Sequence, residues 1–151
     1  MSQLKHLIDQ AIKNKGIQDA FAQFPVEIWK DCGINEVEDT ILQLDKLALA
    51  KLNPENEEET AGIWRAQNSY SSLLEKLSER YLDEVLAGLK SKYEETRFWI
   101  SHVFMNAPNA KALKPINEYL QNDMPDHSLA VANAAFQACK KKQSIFRRLL
   151  G

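Results

Sequence analysis

Phe98-Trp99-Ile100-Ser101-His102-Val103-Phe104 is apolar almost all the way round a helix rather than along one stripe. A helix without a polar face must be covered on every side. This run is therefore read as the enclosed centre of a helical protein. Working outward, Leu82, Val85, Leu86 and Leu89 recur on one helical face before it. Two more helices are expected after it, near 111–121 and 127–141. A short amphipathic tail follows at Ile145, Phe146, Leu149 and Leu150, expected to pack on the preceding helices. Further upstream, Ile63, Ala66, Tyr70, Leu73, Leu74 and Leu77 form a second stripe. Val37, Ile41, Leu44 and Ala48 form a third, on a helix running to about Leu52 and broken by Asn53-Pro54. The acidic run Glu55, Glu57, Glu58, Glu59 suits the positive end of a new helix. Asn35-Glu36-Val37-Glu38 resembles a capping box, with an acceptor and a glutamate three residues on.

The first thirty residues follow the same logic. Leu4, Leu7, Ile8, Ala11 and Ile12 make a one-faced pattern over 3–14, with Gly16 placed as its C-terminal cap. A short helix is expected over 17–24. Another is opened by Pro25, uses Val26, Ile28 and Trp29 as apolar contacts, and stops at Gly33. No stretch alternates apolar and polar residues for long between turn residues, as a strand would. The predicted fold class is all-α, antiparallel helical hairpins in one domain over 1–151.

Composition agrees. Hydrophobic residues make up 44% and charged residues 26% of the 151, with only 5 Gly and 5 Pro to interrupt helices. No apolar run reaches the roughly 18 residues of a membrane span. The N-terminus shows no charged-then-apolar signal organisation. Cys32 and Cys139 stand far apart, which fits a reducing cytosol better than a disulfide framework. A cytoplasmic location is the expectation. Charge is uneven: residues 31–84 carry 13 acidic and 5 basic side chains, net −8, whereas 111–151 carry 3 acidic and 7 basic, net +4. So long an acidic segment argues against a general nucleic-acid binder.

The C-terminal half repeats. A shift of 31 residues carries Leu82 to Leu113, Val85 to Ile116 and Leu89 to Leu120. It also carries Glu95 to Asp126, Ile100 to Val131, Ser101 to Ala132 and Val103 to Ala134. Each unit is an amphipathic helix, a polar turn, an acidic cap position and a more apolar helix. Such units bury their faces by stacking on neighbours. Trp29, Trp64 and Trp99 are each 35 apart, but their surroundings agree poorly and no second repeat is read from them. Residues 80–141 resemble a HEAT-type helical repeat. Thr96-Arg97-Phe98-Trp99-Ile100-Ser101 is similar to that pattern's Val-Arg segment. Pro115-Ile116-Asn117-Glu118-Tyr119-Leu120 resembles its proline-bearing first helix, Pro125-Asp126 its turn, and Ala130, Val131, Ala132, Ala134 and Ala135 its packed second helix. Ser128 stands where the pattern has Arg, and Trp99 and Phe104 are bulkier than usual. The resemblance implies a short HEAT-like superhelix.

Catalytic signatures are missing. His6, His102 and His127 have no partner at metal-ligand spacing, and there is no H-E-x-x-H, C-x-x-C, G-x-S-x-G or phosphate-cradling glycine loop. Asp83-Glu84 and Glu94-Glu95 are neighbours that point in different directions on a helix. The expectation is a chain with no catalytic residues, metal or cofactor. Lys140-Lys141-Lys142 and Arg147-Arg148 suit the negative end of a helix. The candidate partner-binding residues are Asp31, Glu36, Glu38, Asp39, Glu55, Glu57, Glu58 and Glu59, with Arg97, His102 and Asn133 as a second surface. In overall character the chain resembles the immunity proteins of bacterial toxin systems, including contact-dependent growth inhibition. That resemblance implies a cognate toxin, such as a basic nuclease, blocked by tight binding. The alternative expectation is a HEAT-like adaptor or regulatory subunit.

Overall fold

The computed structural model describes residues 29–150. The helices expected over 3–14 and 17–24, and the Pro25–Ile28 start of the next, lie outside them. The described chain opens with a 3₁₀ turn, Trp29–Asp31. Helix α1 (Ile34–Lys51) then begins at Gly33, in extended backbone. Its capping glutamate is Glu36, whose Oε2 accepts a hydrogen bond from the Gly33 N–H at 2.7 Å. The cap therefore lies two residues upstream of the expected Asn35–Glu38 pairing. Both pairs have the required spacing; here Glu36 turns inward and Glu38 faces solvent.

Helix α2 (Glu57–Leu77) starts under Asn56, whose side-chain oxygen accepts the Glu59 N–H at 2.8 Å. The six residues of its expected stripe are all buried. The next element departs from expectation: instead of one amphipathic helix over 82–89, α3 (Leu82–Leu86) passes into a 3₁₀ turn, Ala87–Lys90. Gly88 lies in that turn with no room to spare, since a Cβ there would sit 2.6 Å from Ile100 Cγ1 and 2.7 Å from Cδ1. Helix α4 (Glu94–Asn106) follows, then a 3₁₀ turn at Ala110–Ala112, α5 (Leu113–Leu120) and α6 (Asp126–Leu150). No strand occurs among the described residues, and none of their helices is long and apolar enough to cross a membrane.

The pairing follows from short connections and from which residues meet. The connections return α2 beside α1 and α6 beside α5, while the 3₁₀ turn after α3 packs on α4. Between pairs, Ser71 meets His102 and Glu75 meets Asn106. Glu94 meets Ser128, and the Phe104 carbonyl meets Cys139. Positions rise together on both sides, so α2, α4 and α6 run side by side in one direction. Helices α1, α3 and α5 fill the other layer. Helix α4 packs against α1, α2 and α6 together. Its Trp99, Ile100, Ser101, Val103 and Phe104 are buried, which is the enclosure its all-round apolarity predicts. Trp99 is buried while Trp64 is 53% exposed, so the equal tryptophan spacing does not mark equivalent places.

Helix α6 corrects a second expectation. It runs unbroken for 25 residues, whereas its buried residues, Ser128, Ala132, Ala135 and Cys139, all lie in its first part. The tail does not fold back on the preceding helices among the described residues. With no Gly or Pro between Asp126 and Leu150, helix propagation costs less than a turn would. Ile145, Phe146, Leu149 and Leu150 consequently stand in solvent.

Candidate protein-docking surface

The acidic residues singled out from the sequence divide by environment. Glu36 is buried and spent on the α1 cap. Glu59 accepts the Glu55 N–H through Oε2 at 2.6 Å, closing the entry to α2. Asp39 is half-buried and already has a partner. Asp31, Glu38, Glu55, Glu57 and Glu58 face solvent. Ion pairs among the described residues fall elsewhere, at Lys51–Glu95 and His127–Glu94. Among the described residues, Asp31, Glu38, Glu55, Glu57 and Glu58 take part in neither of these ion pairs.

What the sequence reading missed is the apolar company these charges keep. Ile34, Leu42, Leu49 and Leu52 are all exposed on or at the end of α1, Leu52 at 78%. At about 100° per residue, they and Glu38 share roughly a quarter of the helix circumference, beside the buried arc of Val37, Leu44 and Ala48. The result is an apolar ridge edged by carboxylates. The stripe read from the sequence, Val37, Ile41, Leu44 and Ala48, marks only the buried face and leaves Leu42 and Leu49 unassigned.

The second predicted surface is not assembled. Arg97 and His102 lie about 140° apart around α4. The Arg97 guanidinium donates to the Ser91 carbonyl at 2.6 Å. His102 turns toward α2, with Nδ1 at 3.4 Å from both Ser71 Oγ and Asn106 Nδ2, and its ring edge-on to Trp99. Burial holds its pKa below the ordinary imidazole value, and Glu75 opposes that only in part. Asn133 is exposed on α6. Nothing places these three on one face.

A polar cluster that the sequence did not suggest lies where α4 and α6 begin. The ligand atoms of Glu94, Glu95 and His127 all fall within 4.8 Å of one another. The parallel run of α4 and α6 brings them together. No local motif links Glu94 and Glu95 to His127, which lies more than thirty residues further along the chain. These are the described residues that could hold a metal ion. Their present bonds are protein bonds: Ser128 donates to Glu94, and Lys51 Nζ at 2.5 Å and Trp99 Nε1 at 3.2 Å both engage Glu95 Oε1. The Lys51 charge and two helix N-termini all disfavour a cation here. The cluster reads as a clasp joining α1, α4 and α6.

Both cysteines are buried. Burial, followed by the charges of Glu36 and Asp31, pushes the Cys32 thiol up to about 11, and burial raises that of Cys139. Neither is an activated nucleophile.

Comparison with family models, curated proteins and solved structures gives no match for this chain. The class that the fold defines is an all-helical protein of paired helices, and the functional reading rests on its own surface.

Proposed function

We propose that this chain is a cytoplasmic, non-catalytic binding protein whose helical hairpins form a short HEAT-like superhelix. In this reading it is an immunity protein that docks through α1 and the α1–α2 loop onto a cognate bacterial toxin. The toxin surface it fits is basic, as in the RNA-binding cleft of a nuclease. One observation carries the reading: Leu42, Leu49 and Leu52 are exposed on the same arc of α1 as Glu38, and exposed Glu55, Glu57 and Glu58 follow within a few residues of its end. Such a mixture suits recognition. Apolar side chains supply contact area, and charge of one sign speeds encounter with a basic partner and rejects acidic ones. Residues spent on caps, such as Glu36 and Glu59, serve by fixing the helices that present the surface.

The test is co-expression with a toxin encoded beside this gene. Growth rescue by the parent chain, lost with Leu49→Asp or with the pair Glu57→Lys and Glu58→Lys, is the expected result. Rescue that persists in both variants overturns the α1 surface; absence of rescue by the parent chain overturns the immunity reading.

A further inference from the structure

The buried face of α6 does not stop where the core stops. Ser128, Ala132, Ala135 and Cys139 recur at steps of four, three and four. The same face then continues through Gln143, Phe146 and Leu150 at the same kind of step. Small residues serve where α6 meets its neighbours, and large apolar ones follow where the helix has left them behind. Phe146 is 58% and Leu150 73% exposed. Beside them a groove of about 550 Å³ runs between this end of α6 and the turn before α5, rimmed by Lys111 and Arg147. At about 100° per residue Lys140, Lys142 and Arg147 flank the stripe while Lys141 and Arg148 lie behind it, and no acidic residue occurs from 140 to 150.

Helix α1 is the other described helix that exposes several large apolar side chains, Ile34, Leu42 and Leu49, with Leu52 at its end. Their charges are opposite: carboxylates edge the α1 ridge and cations edge the α6 stripe. We propose that the protruding end of α6 docks on the α1 ridge of a second copy of this chain. Pairing two α6 ends instead would set the flanking cations Lys140, Lys142 and Arg147 against their own copies. Pairing α1 with α6 matches sign and buries apolar surface on both sides. The contact joins two different patches, so it is head-to-tail, and association continues past the dimer unless the rotation closes a ring. The inference goes beyond the toxin-binding reading. Its assay contains no toxin, so its failure leaves that reading standing.

Sedimentation velocity of the full chain over rising concentration tests it. At low salt the sedimentation coefficient rises with concentration, and the apparent affinity falls about tenfold or more in high salt. The pair Glu57→Lys and Glu58→Lys cancels the charge of Glu38 and Glu55 on the α1 patch, and the pair Lys142→Glu and Arg147→Glu removes the positive charge beside the α6 stripe. Each variant alone loses association, and mixing the two restores it. Phe146→Ser with Leu150→Ser, at exposed positions, also gives a monomer. A parent chain that stays monomeric at every concentration overturns the proposal, and some other occupant, such as residues 3–14 or a foreign partner, then covers the stripe. Association that survives the acidic reversal, or that the mixture fails to restore, overturns it as well.

Discussion

Gly88→Ala probes the closest approach between the two helical layers. An alanine methyl at that position would lie 2.6 and 2.7 Å from the Ile100 side chain, and 3.5 Å from Ile41 Cδ1. Ile100 is fully buried in α4, so it has little room to move aside. Overpacking of this kind costs about 1–3 kcal/mol. Replacing glycine stiffens the unfolded chain and returns about 0.4–1 kcal/mol. The net expectation is a loss of roughly 1–2 kcal/mol, lowering the melting temperature by about 2–8 °C for a chain of this size. Ile100→Ala removes both clashing carbons and costs about 2–5 kcal/mol by leaving a cavity. In the double variant the new methyl occupies part of that cavity. The two changes should therefore couple favourably, by about 0.5–3 kcal/mol. Urea unfolding followed by far-ultraviolet circular dichroism, with an unchanged m-value, measures all four corners of the cycle. Strict additivity, or a Gly88→Ala chain as stable as the parent, would refute the placement of the α3 turn on α4.

Two further outcomes follow from buried polar groups. Gln67 is fully buried on α2, and neither polar atom of its side chain has a hydrogen-bond partner among the described residues; Gln67→Met should raise stability by about 1–3 kcal/mol in the same urea assay, and a loss would show that the amide is satisfied. His102, facing Ser71 and Glu75 of α2 and Trp99 and Asn106 of α4, has its pKa lowered by burial. The unfolded chain therefore binds the proton more readily than the folded one. Stability is full above the ordinary imidazole value of about 6.5 and falls as pH drops from there toward the folded pKa. Thermal melts of the parent and His102→Gln between neutral and mildly acidic pH should converge or cross as pH falls, and parallel curves would exclude His102 as the source.

Much of the helical layout was legible because it depends on neighbours along the chain. The stripe from Ile63 to Leu77 requires one buried face, Asn53-Pro54 must break a helix, and the run from Phe98 to Phe104 has no polar side to show solvent. Misreadings arose where two local solutions were equally good and packing chose between them. Gly33 with Glu36 and Asn35 with Glu38 have the same spacing, and burial of Glu36 settled which pair caps α1. The tightening of α3 into a 3₁₀ turn after Leu86 sets Gly88 against Ile100, a neighbour that the local sequence does not name.

Local chemistry thus determined that this chain is helical, where most of its helices turn, and which residues of α2 and α4 face inward. Tertiary structure alone decided which charges are spent on caps, which face solvent, and that Glu94, Glu95 and His127 meet. It also decided that α6 outruns its neighbours. Periodicity states that a face is apolar, but whether anything lies against that face depends on where other helices end, and no stretch of sequence contains that information.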